Sequence, residues 1–130
     1  MGGKAILCVD DEVIILLSMI QELKKVFGNR FLYEQAMDAS SALETIDELA
    51  ADGVKVILII SDWLMPGIRG DEFLEIVTAR HPEIKAIMIT GQADREAIDR
   101  VRGNGSVLAV LGKPWEPAEL AEIIRRNFDE

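Results

Sequence analysis

The residues with the most reactive side chains follow apolar segments of the chain. Asp10, Asp11 and Glu12 come directly after the run Ala5–Val9, and Asp62 comes shortly after a second such run. Clustered carboxylates repel one another, and a hard divalent cation such as Mg²⁺ relieves that repulsion by taking oxygen ligands. A carboxylate can also attack phosphorus and form an acyl phosphate. If the fold brings these acids together, they predict a site for magnesium and for phosphoryl chemistry.

Two further segments add a hydroxyl group and an ammonium group. Thr90 ends the run Ala86–Thr90, and Lys113-Pro114 follows the run Val107–Leu111. Phosphoryl transfer depends on neutralising charge at the equatorial oxygens more than on an acid or a base. Lys113 and the Thr90 hydroxyl could supply that neutralisation. A zinc site is not indicated, because the chain has 1 Cys and 1 His, which lie far apart in the sequence.

Short apolar runs and longer amphipathic stretches alternate along the chain. The short runs, which predict strands, are Ala5–Val9, Phe31–Ala36, Val54–Ile60, Ala86–Thr90 and Val107–Leu111. The amphipathic stretches, which predict helices, are Val13–Phe27, Ala39–Ala51, Gly70–Arg80, Arg95–Arg102 and Pro117–Asn127. This alternation predicts a parallel sheet between layers of helices, joined by right-handed crossovers. Because chemistry in such sheets gathers at the carboxyl ends of the strands, the reactive residues are expected at one edge.

Length and composition limit the class of protein. A chain of 130 residues predicts a single domain, residues 1–130. Its formal net charge of -9 should repel nucleic acid, so direct binding of DNA or RNA is not expected. No segment approaches the roughly 20 apolar residues of a membrane span, and the first residues lack the regions of a signal peptide. Cys8 lies between apolar residues and fits a small core residue of a cytoplasmic protein.

An ordered set of motifs, each at the end of a predicted strand, resembles the receiver domain of two-component response regulators. The set comprises Asp10-Asp11, Asp62-Trp63-Leu64-Met65-Pro66 with Gly70, Thr90-Gly91, and Lys113-Pro114. The resemblance extends from Lys4 to the last predicted helix. It implies an α/β, flavodoxin-like (βα)5 fold, in which a doubly wound five-stranded parallel sheet has the strand order 2-1-3-4-5.

The resemblance also implies a role for each site residue. Asp62 would be the phosphoacceptor, Thr90 the switch hydroxyl, and Lys113 the ion-pair partner of the phosphoryl group. The implied Mg²⁺ ligands are Asp11, Asp62 and the backbone carbonyl of Leu64, with Asp10 acting through water. A cis peptide bond is expected between Lys113 and Pro114.

A phosphorylation-controlled signalling switch is the function that the resemblance implies. A histidine kinase or histidine phosphotransfer protein would donate a phosphoryl group to Asp62 in a Mg²⁺-dependent step of a phosphorelay. The domain would catalyse only its own phosphorylation and dephosphorylation, so it would not be an enzyme in the usual sense. The surface of the predicted fourth helix, fifth strand and fifth helix would then change. An effector domain, a downstream protein or a second copy of the chain could bind there.

Two positions bear on how such a switch would work. Receivers usually carry an aromatic residue three positions before the lysine, where this chain has Val110. We therefore expect the switch to use loop shifts or the other face of the predicted fourth helix. Leu64, two positions after Asp62, is expected to hinder attack by water and so to lengthen the lifetime of an acyl phosphate.

Other interpretations of the same residues remain open at this point. Singly, the acids could cap a helix or form a turn, while Thr90 and Lys113 could be ordinary strand and surface residues. A phosphohydrolase of the haloacid dehalogenase-like class would have a second Asp where this chain has Leu64. A flavin- or nucleotide-binding module would need Gly, Ser or Thr in place of Asp10-Asp11 to bind a phosphate. A pseudo-receiver that works without phosphorylation is a further alternative.

The first predicted helix carries more apolar residues than one core-facing stripe requires. The predicted core face is Leu16, Ile20, Leu23 and Phe27, and the neighbouring strip is Ile15, Met19 and Val26. That strip is either the margin of a wide core stripe or a docking surface for the helices of a kinase or phosphotransfer protein. Trp63 and Trp115 are expected to pack against the loops, and His81 is expected to lie in solvent, away from the site.

Overall fold

The computed structural model describes residues 3–65, 67–91, 98–99, 101 and 103–128. The predicted fourth helix, Arg95–Arg102, lies mostly outside these residues; of its members, Ile98, Asp99 and Val101 are described, and they are helical. Pro66 also lies outside them. Among the described helices, none is long and apolar enough to cross a membrane.

The centre of the fold is a five-stranded parallel sheet. Its strands are β1 (Lys4–Val9), β2 (Leu32–Ala36), β3 (Lys55–Asp62), β4 (Lys85–Thr90) and β5 (Val107–Gly112). They lie in the order β2-β1-β3-β4-β5. The predicted flavodoxin-like fold and its strand order are therefore confirmed. A separate antiparallel ribbon pairs Leu64–Met65 with Ile68–Arg69, directly after β3.

Among the described residues, four long helices cover the two faces of the sheet. They are α1 (Val13–Phe27), α2 (Ala39–Ala51), α3 (Gly70–Arg80) and the C-terminal helix (Pro117–Phe128), with a short 3-10 turn at Gly28–Arg30. Helix α2 begins after Asp38, whose Oδ1 accepts a hydrogen bond of 2.7 Å from the Ser41 backbone N–H.

Side chains of alternate residues on the strands point to opposite faces and form two apolar layers. On one face, Ile6 and Cys8 of β1 pack with α1 and the C-terminal helix. On the other, Leu7 and Val9 pack with α2 and α3. Burial raises the pKa of the Cys8 thiol to about 12, so Cys8 is an inert core residue. Strand β3 is buried from Val56 to Asp62, which explains the unbroken apolar run Val56–Ile60.

The core face of α1 differs from the predicted one at two positions. Met19, which the sequence placed on the neighbouring strip, is buried in the core, whereas Ile20 is only partly buried. The buried face of α1 is formed by Leu16, Met19, Leu23 and Phe27, so it is rotated slightly from the predicted one. Toward the beginning of α1, Ile14 is 81% exposed and Leu17 is 55% exposed.

Gly70 allows the chain to return closely beneath the end of β3. Its backbone N–H donates a hydrogen bond of 2.7 Å to the carbonyl of Trp63. A Cβ at this position would lie 2.5 Å from Met88 Cε and 3.0 Å from Trp63 Cα. Trp63 is buried with Leu74 and Met88, so it packs into the interior beside β4. The ribbon after β3 is thereby held against the sheet.

Candidate functional site

Three aspartates meet at the carboxyl edge of the sheet. Asp10 follows β1 and Asp62 ends β3, and both are buried, whereas Asp11 is exposed. Ligand oxygens of the three carboxylates all lie within 4.8 Å of one another. The two strands are neighbours in the sheet, so their parallel pairing brings these acids together. The sequence-based expectation that they share one edge agrees with this geometry.

Lys113 reaches into this acidic cluster from the loop after β5. Its Nζ lies 3.0 Å from Asp10 Oδ2 and 3.3 Å from Asp62 Oδ1. Glu12 Oε1 is farther, at 3.9 Å. The peptide bond between Lys113 and Pro114 is cis, as the resemblance implied. Within the described part of the chain, one ammonium therefore faces two buried carboxylates and one exposed carboxylate.

Burial and charge shift the acid–base properties of the two central groups. Burial, together with the neighbouring Asp10 carboxylate, raises the pKa of Asp62, and Lys113 and the Leu64 backbone N–H only partly offset this. Burial alone would lower the pKa of Lys113. Its hydrogen bonds and charge interactions with Asp10 and Asp62 outweigh that effect, so the pKa of Lys113 is raised. Lys113 is therefore a cation at neutral pH, and Asp62 carries a charge that its surroundings do not fully stabilise.

Thr90 lies beside these groups at the end of β4, where it is buried. Asp62 is paired with Ile89 in the sheet, and Thr90 is paired with Gly112. The Thr90 carbonyl accepts a hydrogen bond of 2.9 Å from the Lys113 backbone N–H. The three parallel strands β3, β4 and β5 thus bring Asp62, Thr90 and Lys113 to one edge.

Leu64 and Val110 are the residues for which the sequence predicts an effect on the lifetime of an acyl phosphate and on the working of the switch, respectively. The side chain of Leu64 is exposed beside Asp62, and its backbone N–H donates a hydrogen bond to the Asp62 carboxylate. Val110 is partly buried and packs against the cluster that contains Trp63. The coordination of a metal by the Leu64 carbonyl stays a prediction.

Trp115 makes a contact that the sequence did not predict. We expected it to pack against loops, but its indole Nε1–H donates a hydrogen bond of 2.9 Å to Glu22 Oε1 of α1. The two residues are 93 positions apart, so no local pattern could have paired them. Trp115 also packs against the core on the α1 side of the sheet.

His81 lies at the end of α3, away from the cluster, as predicted, but it is only partly exposed. Its Nε2 is 3.6 Å from Asp47 Oδ1, and its Nδ1 is 3.8 Å from Glu83 Oε2. Since its side chain is 23% exposed, the expectation of a solvent-exposed histidine was only partly right.

The donor set fits a hard divalent cation. As far as the structure describes the chain, three carboxylates with one ammonium leave an excess of negative charge in a partly buried place. Oxygen ligands of this kind are those preferred by Mg²⁺, and the described residues of the cluster include no thiolate or imidazole that would favour zinc.

Comparisons with known proteins show the family to which the chain is similar. The response regulator receiver domain family matches residues 6–125. The hydrogenase transcriptional regulatory protein HoxA of Cupriavidus necator is 34% identical over 124 residues, which are 95% of this chain and 24% of HoxA. The phosphate regulon transcriptional regulatory protein PhoB of Klebsiella pneumoniae is 31% identical over 126 residues, which are 95% of this chain and 51% of PhoB. The chain therefore spans about half or less of the length of these relatives.

A solved structure resembles the fold over nearly the whole chain. It is the crystal structure of a response regulator receiver domain protein (CheY-like) from Methanospirillum hungatei JF-1, with a TM-score of 0.81 and 31% identity. The similarity covers 98% of this chain and 94% of that one.

Proposed function

The chain belongs to the response regulator receiver domain family, whose members are signalling switches of phosphorelays, and we propose that residues 1–130 form one receiver domain phosphorylated on Asp62. The observation that carries this proposal is the position of Asp62. It ends a buried strand, lies within 4.8 Å of two further aspartates, and is 3.3 Å from the ammonium of Lys113.

Each site residue has a role in the proposed transfer. A carboxylate oxygen of Asp62 attacks the phosphorus of a phosphohistidine on a donor protein, and the phosphorus–nitrogen bond breaks. The donor imidazole leaves with the electron pair of that bond. Lys113 neutralises charge on the phosphoryl oxygens, and the Thr90 hydroxyl donates a hydrogen bond to one of them. Their placement at the ends of β4 and β5 supports these roles.

Asp10, Asp11 and Asp62, together with the Leu64 carbonyl, are the groups that would hold Mg²⁺. When bound, the cation supplies positive charge that offsets both the carboxylates and the phosphoryl oxygens. The excess of acids over cations in the cluster supports this assignment.

The partners and output follow from the same proposal. The donor is a histidine kinase or a histidine phosphotransfer protein, and the receiver is cytoplasmic. Apart from its own phosphorylation and dephosphorylation, it catalyses no reaction. Movement of Thr90 and Lys113 toward the phosphoryl group changes the surface around β5, where an effector domain, a downstream protein or a second copy of the chain binds. The partly exposed edge strand β5 supports this, although most of the predicted fourth helix lies outside the described residues.

The deciding experiment is intact-mass measurement after incubation with acetyl phosphate, with and without Mg²⁺. The wild type should gain one phosphoryl group only when Mg²⁺ is present, and Asp62→Asn should gain none. Asp71→Asn is a matched control, because Asp71 is as buried as Asp62 but belongs to α3. Labelling of Asp62→Asn, or labelling without Mg²⁺ at the same rate, would contradict the proposal.

A further inference from the structure

A hydrogen bond joins the loop after β5, which carries Lys113, to α1, the helix that follows Asp10 and Asp11. Trp115 lies two residues after Lys113, and Glu22 lies on α1, the helix that follows the turn Asp10–Glu12. The indole N–H of Trp115 donates to Glu22 Oε1 at 2.9 Å. Because the acceptor is a carboxylate, this hydrogen bond is of the charge-assisted and therefore stronger kind.

The remainder of the contact between α1 and this loop is open. A groove of about 440 Å³ lies between them and is lined on the helix side by Ile14, Ile15 and Ser18. Lys113 and Pro114 line the opposite side. Lys113 and Pro114 are therefore not packed closely against α1 along this groove. Trp115, which packs against the core, bridges the groove through its hydrogen bond with Glu22.

From this geometry we propose that Glu22 and Trp115 are positioning residues that hold the Lys113 ammonium between Asp10 and Asp62. The inference rests on the proposed function, since it concerns how the same site neutralises a phosphoryl group. The hydrogen bond holds the loop at a further point, in addition to the ion pair of Lys113 with Asp10 at 3.0 Å and the hydrogen bond of 2.9 Å from the Lys113 backbone N–H to the Thr90 carbonyl. Loss of this connection allows Lys113 to leave the position that phosphoryl transfer requires.

The test compares Trp115→Phe with Tyr33→Phe in the full chain. Trp115→Phe removes the indole donor and keeps an aromatic ring. Tyr33→Phe removes a different aromatic donor. The Tyr33 hydroxyl donates a hydrogen bond of 3.0 Å to the Gly28 carbonyl, which follows the C-terminal end of α1, and this end is far from the site. Phosphorylation by acetyl phosphate with Mg²⁺ is followed by mass against time, and the unfolding of each variant in urea is measured without Mg²⁺.

Positioning predicts a specific kinetic effect. Trp115→Phe should lower the rate constant at saturating acetyl phosphate by roughly tenfold, because misplacement of a catalytic group acts on the transition state. The concentration of acetyl phosphate at half saturation should change by less than about twofold. The reason is that interactions which bind the ground state and the transition state equally are not affected. Tyr33→Phe should phosphorylate at the wild-type rate even where its midpoint in urea falls as much as that of Trp115→Phe.

Variants of Glu22 provide an independent measurement. Glu22→Gln keeps an oxygen acceptor and should retain most of the wild-type rate, whereas Glu22→Met removes the acceptor and should resemble Trp115→Phe. The double variant Glu22→Met with Trp115→Phe should be no slower than either single variant, because both remove the same interaction.

The outcomes separate this inference from the proposed function. If the wild type is phosphorylated and Trp115→Phe matches its rate at saturation, the positioning role is wrong and the hydrogen bond only stabilises the fold. An equal slowing by Tyr33→Phe would also overturn it. If the wild type itself gains no phosphoryl group from acetyl phosphate, the proposed function fails, and the inference fails with it.

Discussion

Replacement of Lys113 by methionine should lower the free energy of unfolding by about 3 kcal/mol at neutral pH in the absence of Mg²⁺. Methionine is unbranched and keeps much of the apolar stem of lysine, so the change mainly removes charge. The Lys113 side chain is 19% exposed, and its two aspartate partners are nearly inaccessible to solvent. The variant would therefore leave two buried carboxylates facing each other without the cation that lies between them.

The distances set the size of the effect. At an effective dielectric constant of about 20, attraction at 3.0 Å to Asp10 amounts to about 5.5 kcal/mol, and at 3.3 Å to Asp62 to about 5 kcal/mol. The cost of removing the ammonium from water offsets much of this attraction. Repulsion between Asp10 and Asp62, about 3.5 kcal/mol or more for oxygens within 4.8 Å, then remains uncompensated.

The free energy of unfolding that Lys113→Met loses should be smaller at low pH than at neutral pH. The pKa of Asp62 in the folded state is raised, so ionised Asp62 costs stability above that pKa, and the cost disappears below the pKa of the unfolded chain. Lys113 acts to lower the pKa of Asp62, so its removal raises that pKa further. The difference in stability between the variant and the wild type should therefore shrink as the pH falls through the carboxyl range.

Urea unfolding, monitored by circular dichroism between pH 4 and 8, measures this difference. Mg²⁺ at millimolar concentration should restore much of the stability of Lys113→Met, because a cation bound to the same carboxylates stabilises the folded state. Lys113→Arg keeps the charge and should lose less stability. Lys25→Met removes a lysine near the other end of α1 and controls for net charge. An unchanged midpoint for Lys113→Met, or a deficit that Mg²⁺ fails to reduce, would refute the proposed charge balance.

Three other substitutions test separate parts of the structure. Leu64→Asn should shorten the lifetime of the acyl phosphate roughly severalfold, because an exposed apolar side chain beside Asp62 is replaced by one that can orient water. The intact mass of the protein, followed over time after acetyl phosphate is removed, measures this lifetime. Gly70→Ala should cost about 1–3 kcal/mol in urea unfolding, because the new Cβ would lie 3.0 Å from Trp63 Cα. Ile14→Glu should weaken phosphotransfer from the cognate kinase while leaving labelling by acetyl phosphate intact, since Ile14 is 81% exposed next to the site. Leu32→Glu, at an exposed apolar residue where β2 begins and so at the opposite end of the sheet from the site, serves as its control; equal loss in both variants would argue against docking at Ile14.

The sequence was sufficient to predict the order of the elements and the edge at which the reactive residues meet. Alternation of apolar runs with amphipathic stretches indicates the parallel sheet, and the residues at the strand ends indicate its functional edge. The end of β3 was predicted two residues early, at Ile60. Ser61 and Asp62 are polar, but their pairing with Met88 and Ile89 of β4 continues the strand. Pairing with a neighbouring strand is not visible in local composition.

Features that depend on rotation or on distant contacts were predicted less well. Met19 belongs to the core, although the periodicity of α1 placed it on a neighbouring strip, because packing between helices decides which part of a wide apolar face is covered. The hydrogen bond between Glu22 and Trp115 joins segments 93 residues apart. Neither residue has a neighbour in the sequence that indicates its partner, so only the folded chain reveals the pair.

The environment of Asp62 supports its proposed role as the phosphoacceptor, whereas the order of the aspartates in the sequence does not. Asp10 is equally buried, but its Oδ1 accepts a hydrogen bond of 2.8 Å from the Glu12 backbone N–H, and its Oδ2 contacts Lys113 at 3.0 Å. Asp62 likewise contacts Lys113, at 3.3 Å, and interacts with the Leu64 backbone N–H. Asp62 has a raised pKa, which corresponds to a more basic and hence more nucleophilic carboxylate. Asp11 is exposed, so water solvates its carboxylate. Its position therefore suits a metal ligand better than a protected nucleophile.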